Sequence, residues 1–163
     1  GEAFNVAEYY HPATHTSLDN MIRRQRHAMG ISLFPHTRRA TARLVQHLRE
    51  GGVVTLCPDQ QPRLRGGEFI PFFGCPALTT TALACLLQQS GASLVFGVAL
   101  REDRGFRVYF HPCEYGNTEA GNVAVLANVN EQLEKIVEQH MEQYRWSDKR
   151  FNIRPPGEPK VYR

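Results

Sequence analysis

The sequence lacks the short motifs that mark several common classes of enzyme. It has no G-x-S-x-G, no Walker A sequence and no G-x-G-x-x-G pattern, which are the signatures of α/β-hydrolases, P-loop NTPases and dinucleotide-binding domains. Its cysteines stand at least 10 residues apart, without the close pairs of a zinc site or a compact disulfide framework. We therefore expect no metal and no cofactor. The cysteines are predicted to be reduced thiols, mostly in the core, with Cys57 packed rather than nucleophilic.

Long apolar runs and a strong charge imbalance are also missing. No run approaches the roughly 20 apolar residues that a transmembrane helix needs. The net charge of +3 is too small to indicate a nucleic-acid partner, but it is compatible with an anionic ligand or a membrane surface. The 163 residues are predicted to form one domain, 1–163. Because the chain opens on GEAFNVAEYYHP without Met, we expect part of a longer protein.

Helical and strand-like segments alternate along the chain, which predicts an α/β fold with a mostly parallel or mixed central sheet flanked by helices. The run VVTLC is typical of a strand buried on both faces of such a sheet. The segments on either side of REDRG predict a hairpin with Gly105 in its turn. Strands are predicted at 3–10, 31–35, 53–57, 93–100 and 106–112, and helices at about 16–29, 36–50, 77–90 and 124–146.

The loop that follows VVTLC is the first candidate site. Ligands of open α/β sheets bind beyond the carboxyl ends of the strands, which would put Asp59, Gln60 and Gln61 at the rim. Arginines after them can contact phosphate, two glycines allow close backbone approach, and phenylalanines offer an apolar wall. These residues are Arg63, Arg65, Gly66, Gly67, Phe69, Phe72 and Phe73. Such a loop suits a phosphorylated amphiphile, although it could equally be a surface loop with Asp59 in a turn and the phenylalanines in the core.

The first predicted helix raises the same two alternatives. Its basic residues are Arg23, Arg24, Arg26 and His27. Such a run is usually a solvated face, but one arginine could turn inward to pair with Asp59 or with a substrate phosphate. Nearby, His15 and Asp19 stand four residues apart at the start of this helix. We favour a local structural role for this pair over a catalytic dyad, because Asp19 interacts well with the helix dipole and Thr16 or Ser17 can cap the helix.

The order and spacing of several segments resemble the bacterial lipid A biosynthesis acyltransferases, the late lauroyl and myristoyl transferases of the lysophospholipid acyltransferase superfamily. The segments are YYHP, LDNMIRRQR, PDQQPRLRGGEFIPFFG, the threonine run at 79–81 and EQYRWSDKRFNIRPP. The resemblance covers nearly the whole chain. It implies a glycerolphosphate-acyltransferase-like fold, truncated here at the N-terminus.

The resemblance also implies a function in lipopolysaccharide biosynthesis. The expected reaction is transfer of a fatty acyl chain from acyl carrier protein to a hydroxyl of a lipid A precursor, at the cytoplasmic face of the bacterial inner membrane. The segment itself is expected to be soluble, with an anionic membrane surface as a further partner. Its basic tail, which includes Lys149, Arg150, Arg154, Lys160 and Arg163, would suit an anionic leaflet or be a solvated coil.

The family's general-base motif, His-x4-Asp/Glu, is absent from this sequence. The chain is therefore expected to contribute the substrate-binding side of the site and to be inactive alone. By resemblance, Arg26 and Asp59 are the supporting residues of the catalytic site. The substrate-binding set is expected to be Arg24, Gln60, Arg63, Arg65, Phe69, Phe72 and Phe73.

Two other functions stay open from the sequence. The chain could be a non-catalytic module of the same fold that binds phospholipid or another anion without the base. A nucleotide-binding α/β domain is a weaker possibility, because the glycine-rich phosphate loop is missing.

Overall fold

A computed structural model describes residues 4–162. Seven strands and four α-helices follow one another in the order expected of an α/β protein. They are β1 (Val6–Tyr10), α1 (Thr16–Ala28), β2 (Ser32–Pro35), α2 (Arg38–Arg49), β3 (Val53–Thr55), β4 (Gly67–Phe72), β5 (Cys75–Thr80), α3 (Thr81–Ser90), β6 (Leu94–Glu102), β7 (Gly105–Cys113) and α4 (Asn122–Gln139). Single 3-10 turns occur at Leu64–Gly66, Thr118–Ala120 and Trp146–Asp148.

The described chain divides into two compact units. The first contains the residues up to Cys57 together with Gln89–Ala92, and the second contains Pro58–Gln88 and the residues from Ser93 onward. The α/β class predicted from the sequence is confirmed. The single central sheet is not, because residues 4–162 form three separate sheets and only the first is parallel.

The first unit is built on a parallel sheet with strand order β2-β1-β3. Ala7 on β1 pairs with Ser32 on one side and Val54 on the other, so β1 is the central strand. The expectation that β3 is buried on both faces is wrong: Val53 is 38% exposed, since β3 is an edge strand. Helix α2 contributes Leu44 to the core, whereas α1 buries none of its side chains.

The second unit contains two antiparallel hairpins and α4. Strands β4 and β5 meet at a two-residue turn, Phe73-Gly74, in which both residues have positive φ. Two such residues match the primed turns that fit the twist of a hairpin. The backbone N–H of Phe73 donates to Glu134 on α4 at 2.8 Å, which holds the non-glycine residue of the turn in place.

Helix α4 packs its apolar face into this unit. Val125, Leu126 and Val129 are fully buried, as are Ile70 and Leu78 of the β4–β5 hairpin. Burying each such side chain stabilises the fold by about 1.5–3 kcal/mol. The predicted end of this helix at 146 is wrong, since α4 ends at Gln139.

The start of α3 also differs from the prediction. Residues 77–80, expected to be helical, belong to β5, where Leu78 pairs with Phe69 and Thr79 with Glu68. Threonine favours extended backbone, and the hydroxyl of Thr80 accepts a bond from the N–H of Ala82 at 3.3 Å. The threonine run therefore ends a strand and begins the helix at Thr81.

Candidate functional site

A groove of about 1100 Å³ runs between α1, β2 and α2 in the first unit. Its walls carry five basic side chains and its lining contains no carboxylate. The residues of β2 form part of the lining, and Asn20 and Thr37 add polar groups. The basic residues are Arg23, Arg24, His27, Arg39 and Arg43. We call this feature the arginine groove.

The charges of the arginine groove are not neutralised within the described part of the chain. None of the side chains of its four arginines forms an ion pair or hydrogen bond there. The groove also includes the start of α2, where the hydroxyl of Thr37 caps the helix by accepting from the N–H of Ala40 at 3.2 Å. A helix N-terminus adds a partial positive charge. The groove is therefore suited to an anion.

Of the predicted basic residues, Arg24 lines the arginine groove and Arg26 does not. Arg26 reaches β1 instead, with its Nε 2.6 Å from the Oε2 of Glu8. This partner could not be inferred from the sequence, because the pairing depends on the placement of α1 against the sheet. Arg26 belongs to the first unit and Asp59 to the second, and the expected pairing of the two stays a prediction.

Asp59 lies in a polar cluster with the C-terminal segment of the second unit. The hydroxyl of Tyr144 donates to its carboxylate, and Arg150 faces both groups. Burial, followed by the negative charge of Asp59, raises the pKa of Tyr144 well above its usual range. Burial lowers the pKa of Arg150, against the opposing effects of Tyr144 and Asp59. We call these three residues the Asp59 cluster.

Arg150 connects the Asp59 cluster to the β4–β5 hairpin. Its side chain is 3% exposed and donates to the carbonyl of Leu78 and to the hydroxyl of Thr79, the latter at 2.7 Å. The guanidinium also lies 5.7 Å from the ring centre of Phe72. The carbonyl of Arg150 accepts from the amide of Gln61 at 3.3 Å. The segment after α4 therefore holds the loop that carries Asp59.

The other predicted residues of this loop fall into two groups. Gln60, Arg63 and Arg65 are exposed, and Phe69 and Phe73 are half-buried, so all five are accessible. Phe72 is fully buried and packs against the rings of Phe73, Tyr144 and Phe151. The expectation that it contacts substrate is corrected to a core role, because no part of its side chain reaches the surface.

The two glycines of the loop differ in what surrounds them. A Cβ on Gly67 would lie 2.7 Å from Cγ of Pro62 and 2.8 Å from the carbonyl oxygen of Thr79, whereas a Cβ on Gly66 would have only Pro62 near it, at 3.9 Å. The space beside Gly67 is thus occupied by Pro62 and Thr79 of the protein itself.

Replacing Gly67 with Ala should lower the free energy of unfolding by about 1–3 kcal/mol, the usual effect of overpacking. Urea unfolding followed by circular dichroism measures the change. Gly66→Ala is the matched control and should change stability by less than about 0.5 kcal/mol. Equal effects of the two substitutions would contradict the contacts described at Gly67.

The histidine between β2 and α2 does not suit the role of a general base. His36 stacks between Tyr9 and His11 with ring centres 3.7 and 3.6 Å apart. Burial and the neighbouring charge of His11 lower its pKa from 6.5 to about 4. Asp19 accepts bonds from the hydroxyl of Tyr10 and from the N–H of Ala13, which supports the structural role predicted for it. The expected cap by Thr16 or Ser17 is wrong, because His15 occupies that position without a side-chain bond.

The cysteines differ from their prediction. Cys57 and Cys75 are exposed and Cys85 is half-buried. Only Cys113 is buried, and burial raises its pKa to about 11. Cys57 follows the short edge strand β3, which explains why it is not packed in the core.

The basic C-terminal tail is less exposed than predicted. Arg150 is buried, and Arg154 donates to the carbonyl of Pro76 at 2.7 Å and pairs with Glu158. Arg163 lies outside the described residues. In the stretch 4–162, no helix has the length and apolar character to cross a membrane, and no group of three or more His, Cys, Asp or Glu residues could hold a metal ion.

Comparison with known proteins gives the family. Residues 2–152 match the bacterial lipid A biosynthesis acyltransferases. The chain is 33% identical over 122 residues to both the lipid A biosynthesis palmitoleoyltransferase and the lipid A biosynthesis lauroyltransferase of Escherichia coli K12. It is 27% identical over 121 residues to the lipid A biosynthesis myristoyltransferase of the same organism. The chain belongs to this family of acyltransferases.

These similarities cover only part of each relative. The aligned region is 73% of this chain but 40% of the palmitoleoyltransferase and lauroyltransferase and 38% of the myristoyltransferase. The chain thus spans well under half the length of the relatives it matches.

Proposed function

We propose that the protein transfers a fatty acyl chain from acyl carrier protein to a hydroxyl of a lipid A precursor. In this proposal residues 1–163 form the C-terminal part of one acyltransferase domain, at the cytoplasmic face of the bacterial inner membrane. The general base comes from a His-x4-Asp/Glu motif outside these residues. The chain itself supplies the side of the site that binds the substrate.

The arginine groove is the observation that best supports this proposal. A lipid A precursor carries phosphate groups on its sugars, and guanidinium groups bind phosphate through paired hydrogen bonds. Arg24 and Arg43 come from two different helices that line the groove, so one phosphate can be contacted from both sides. With no carboxylate in the lining, an incoming anion meets no competing partner.

The reaction needs a base, an acyl donor and a fixed acceptor. The acceptor oxygen attacks the thioester carbonyl, the base takes the hydroxyl proton, and the carbon–sulfur bond breaks to release the carrier thiol. Residues of this chain hold the acceptor and keep the loop after β3 in place. The Asp59 cluster fixes that loop, and the pair of Arg26 with Glu8 fixes α1 against β1. We therefore assign Asp59 and Arg26 supporting roles.

The exposed residues of the loop complete the proposed substrate surface. Arg63 and Arg65 offer two further cations without an ion-pair partner among residues 4–162, and Gln60 offers an amide. The rings of Phe69 and Phe73 are accessible at the hairpin that follows. These groups suit the polar and the apolar parts of a lipid substrate.

A non-catalytic module that binds phospholipid or another anion is the second candidate. It is favoured by one observation: the arginine groove lies within a chain that has no His-x4-Asp/Glu motif. A single assay distinguishes the two functions. The purified full-length protein is incubated with acylated carrier protein and a phosphorylated lipid A precursor. Formation of acylated lipid supports the enzyme. Saturable binding of the lipid without product would support the module instead.

In the full-length enzyme, Asp59→Ala and Arg26→Ala should each lower kcat/KM for acyl transfer by roughly 100-fold or more. This corresponds to about 2.7 kcal/mol of transition-state stabilisation. Asp103→Ala, at the exposed turn between β6 and β7, and Arg38→Ala serve as controls and should leave kcat/KM near the wild-type value. Thermal unfolding is measured in parallel, and activity is assayed well below each midpoint. Near-wild-type activity of both variants would remove Asp59 and Arg26 from the site.

A further inference from the structure

The hairpin formed by β6 and β7 has one face that is open to solvent along its whole length. We call it the outer face. Of its large apolar side chains, Val95 is 50% exposed, Phe106 63%, Val108 54% and Phe110 73%. Its eight residues are Val95, Gly97, Ala99, Arg101, Phe106, Val108, Phe110 and Pro112.

The register of the hairpin makes this apolar surface continuous. Side chains alternate between the two faces of a strand, and the outer-face residues pair with one another: Gly97 with Phe110 and Ala99 with Val108. The ring of Phe110 lies over Gly97, 3.6 Å from where a Cβ would stand. The opposite face contains the buried residues Phe96, Leu100 and Cys113. The outer face is thus a continuous apolar strip rather than scattered single residues.

The charge on the outer face has one sign. Its single charged residue is Arg101, whose guanidinium lies 4.8 Å from the ring centre of Phe106. Glu102 is held in an ion pair by Arg107, a residue of the opposite face. An apolar strip with an arginine on it complements a surface that is apolar inside and anionic outside.

We propose that the outer face of the β6–β7 hairpin lies on an anionic lipid bilayer. Phe106, Val108 and Phe110 enter the interface between head groups and acyl chains, and Arg101 contacts the lipid phosphates. The hairpin lies on the membrane and does not cross it. The basic tail is a weaker candidate for this contact, because the guanidinium groups of Arg150 and Arg154 are used inside the second unit.

This contact is independent of the proposed catalytic activity, and a reporter on the face tests it directly. In full-length protein in which every native tryptophan, including Trp146, is replaced by Phe, Phe110→Trp places a single indole fluorophore on the outer face. Vesicles of phosphatidylethanolamine and phosphatidylglycerol with brominated acyl chains should quench its fluorescence at least twofold. Val123→Trp in the same background is the control, since Val123 is 56% exposed on α4, and it should be quenched far less.

Two results would overturn the proposal. One is equal quenching of the two reporters. The other is an unquenched Phe110→Trp reporter that iodide cannot reach in the absence of vesicles, which would mean that a second copy or another part of the full-length chain covers the face. If a second copy covers the face, the protection from iodide should decrease as the protein is diluted. If another part of the same chain covers it, the protection should not change. Acyl transfer to a detergent-dispersed acceptor reports separately on the proposed function.

A charge-insertion variant gives a second readout. Val108→Glu with Phe110→Glu should reduce sedimentation with these vesicles about tenfold or more. Phe4→Glu with Val123→Glu is the control, since both residues are exposed elsewhere, and it should leave the sedimentation with vesicles nearly unchanged. Equal losses in the two variants would contradict a specific role of the outer face.

Discussion

Replacing Arg150 with Met is expected to lower the free energy of unfolding by about 3–5 kcal/mol, because two buried acceptors lose their charged donor, each at a cost of about 1–3 kcal/mol. The substitution keeps an unbranched apolar side chain about as long as the arginine stem, but it removes the guanidinium that donates to Leu78 and Thr79. It also leaves the carboxylate of Asp59 beside Tyr144 without its buried cation. Denaturant unfolding measures the loss.

Arg145→Met is the matched control for this prediction. Arg145 lies five residues earlier in the same segment, and its side chain is 73% exposed in an ion pair with Asp148. Surface pairs of this kind contribute at most about 1 kcal/mol. If Arg150→Met were no more destabilising than Arg145→Met, Arg150 would not hold the loop that carries Asp59. If Arg150→Met with Asp59→Asn were clearly more stable than Arg150→Met alone, the unpaired carboxylate would account for part of the loss.

The second large effect is expected at the arginine groove. In the full-length enzyme, Arg24→Ala combined with Arg43→Ala should lower kcat/KM for a phosphorylated acceptor by roughly 100-fold, or about 2.7 kcal/mol. Both guanidinium groups lack a partner among the described residues, so their removal breaks no ion pair there. Stability should therefore change little while activity falls.

The control for the groove must remove the same charge elsewhere. Arg38→Ala combined with Arg145→Ala does so, because Arg38 begins α2 next to Arg39 but does not line the groove. Its kcat/KM should stay within about threefold of wild type at 0.15 M salt, where charges more than about 8 Å away are largely screened. A loss in the control as large as in the groove variant would show that net charge, and not the groove, determines the rate.

Local patterns predicted much of the secondary structure. The helices α1 and α2 and the hairpin at Gly105 follow from amphipathic, glycine and alternation signals near each element. The pairing of strands into sheets could be predicted less well, because it depends on contacts between residues far apart in sequence. The segment 77–80 shows this: its neighbours are helical, but pairing with β4 makes it a strand.

The candidate site was accessible from the sequence only in part, for the same reason. The loop and the helix drew attention to Asp59 and Arg24, whose roles stay predictions. Their surroundings were not, since Arg150 lies 91 positions after Asp59 and reaches it only through the fold. The Arg-Phe at 150–151 was visible as part of the family resemblance, and that was the available signal. The groove was missed because its two walls combine arginines from separate helices.

The central claim is that this chain binds the phosphate of the acceptor. The most direct test is to measure kcat/KM of the full-length enzyme for phosphorylated and dephosphorylated forms of the same acceptor, with wild type and with Arg24→Ala plus Arg43→Ala. We predict that the wild-type enzyme prefers the phosphorylated acceptor by roughly 100-fold and that the variant loses most of this preference. An undiminished preference in the variant would contradict the claim.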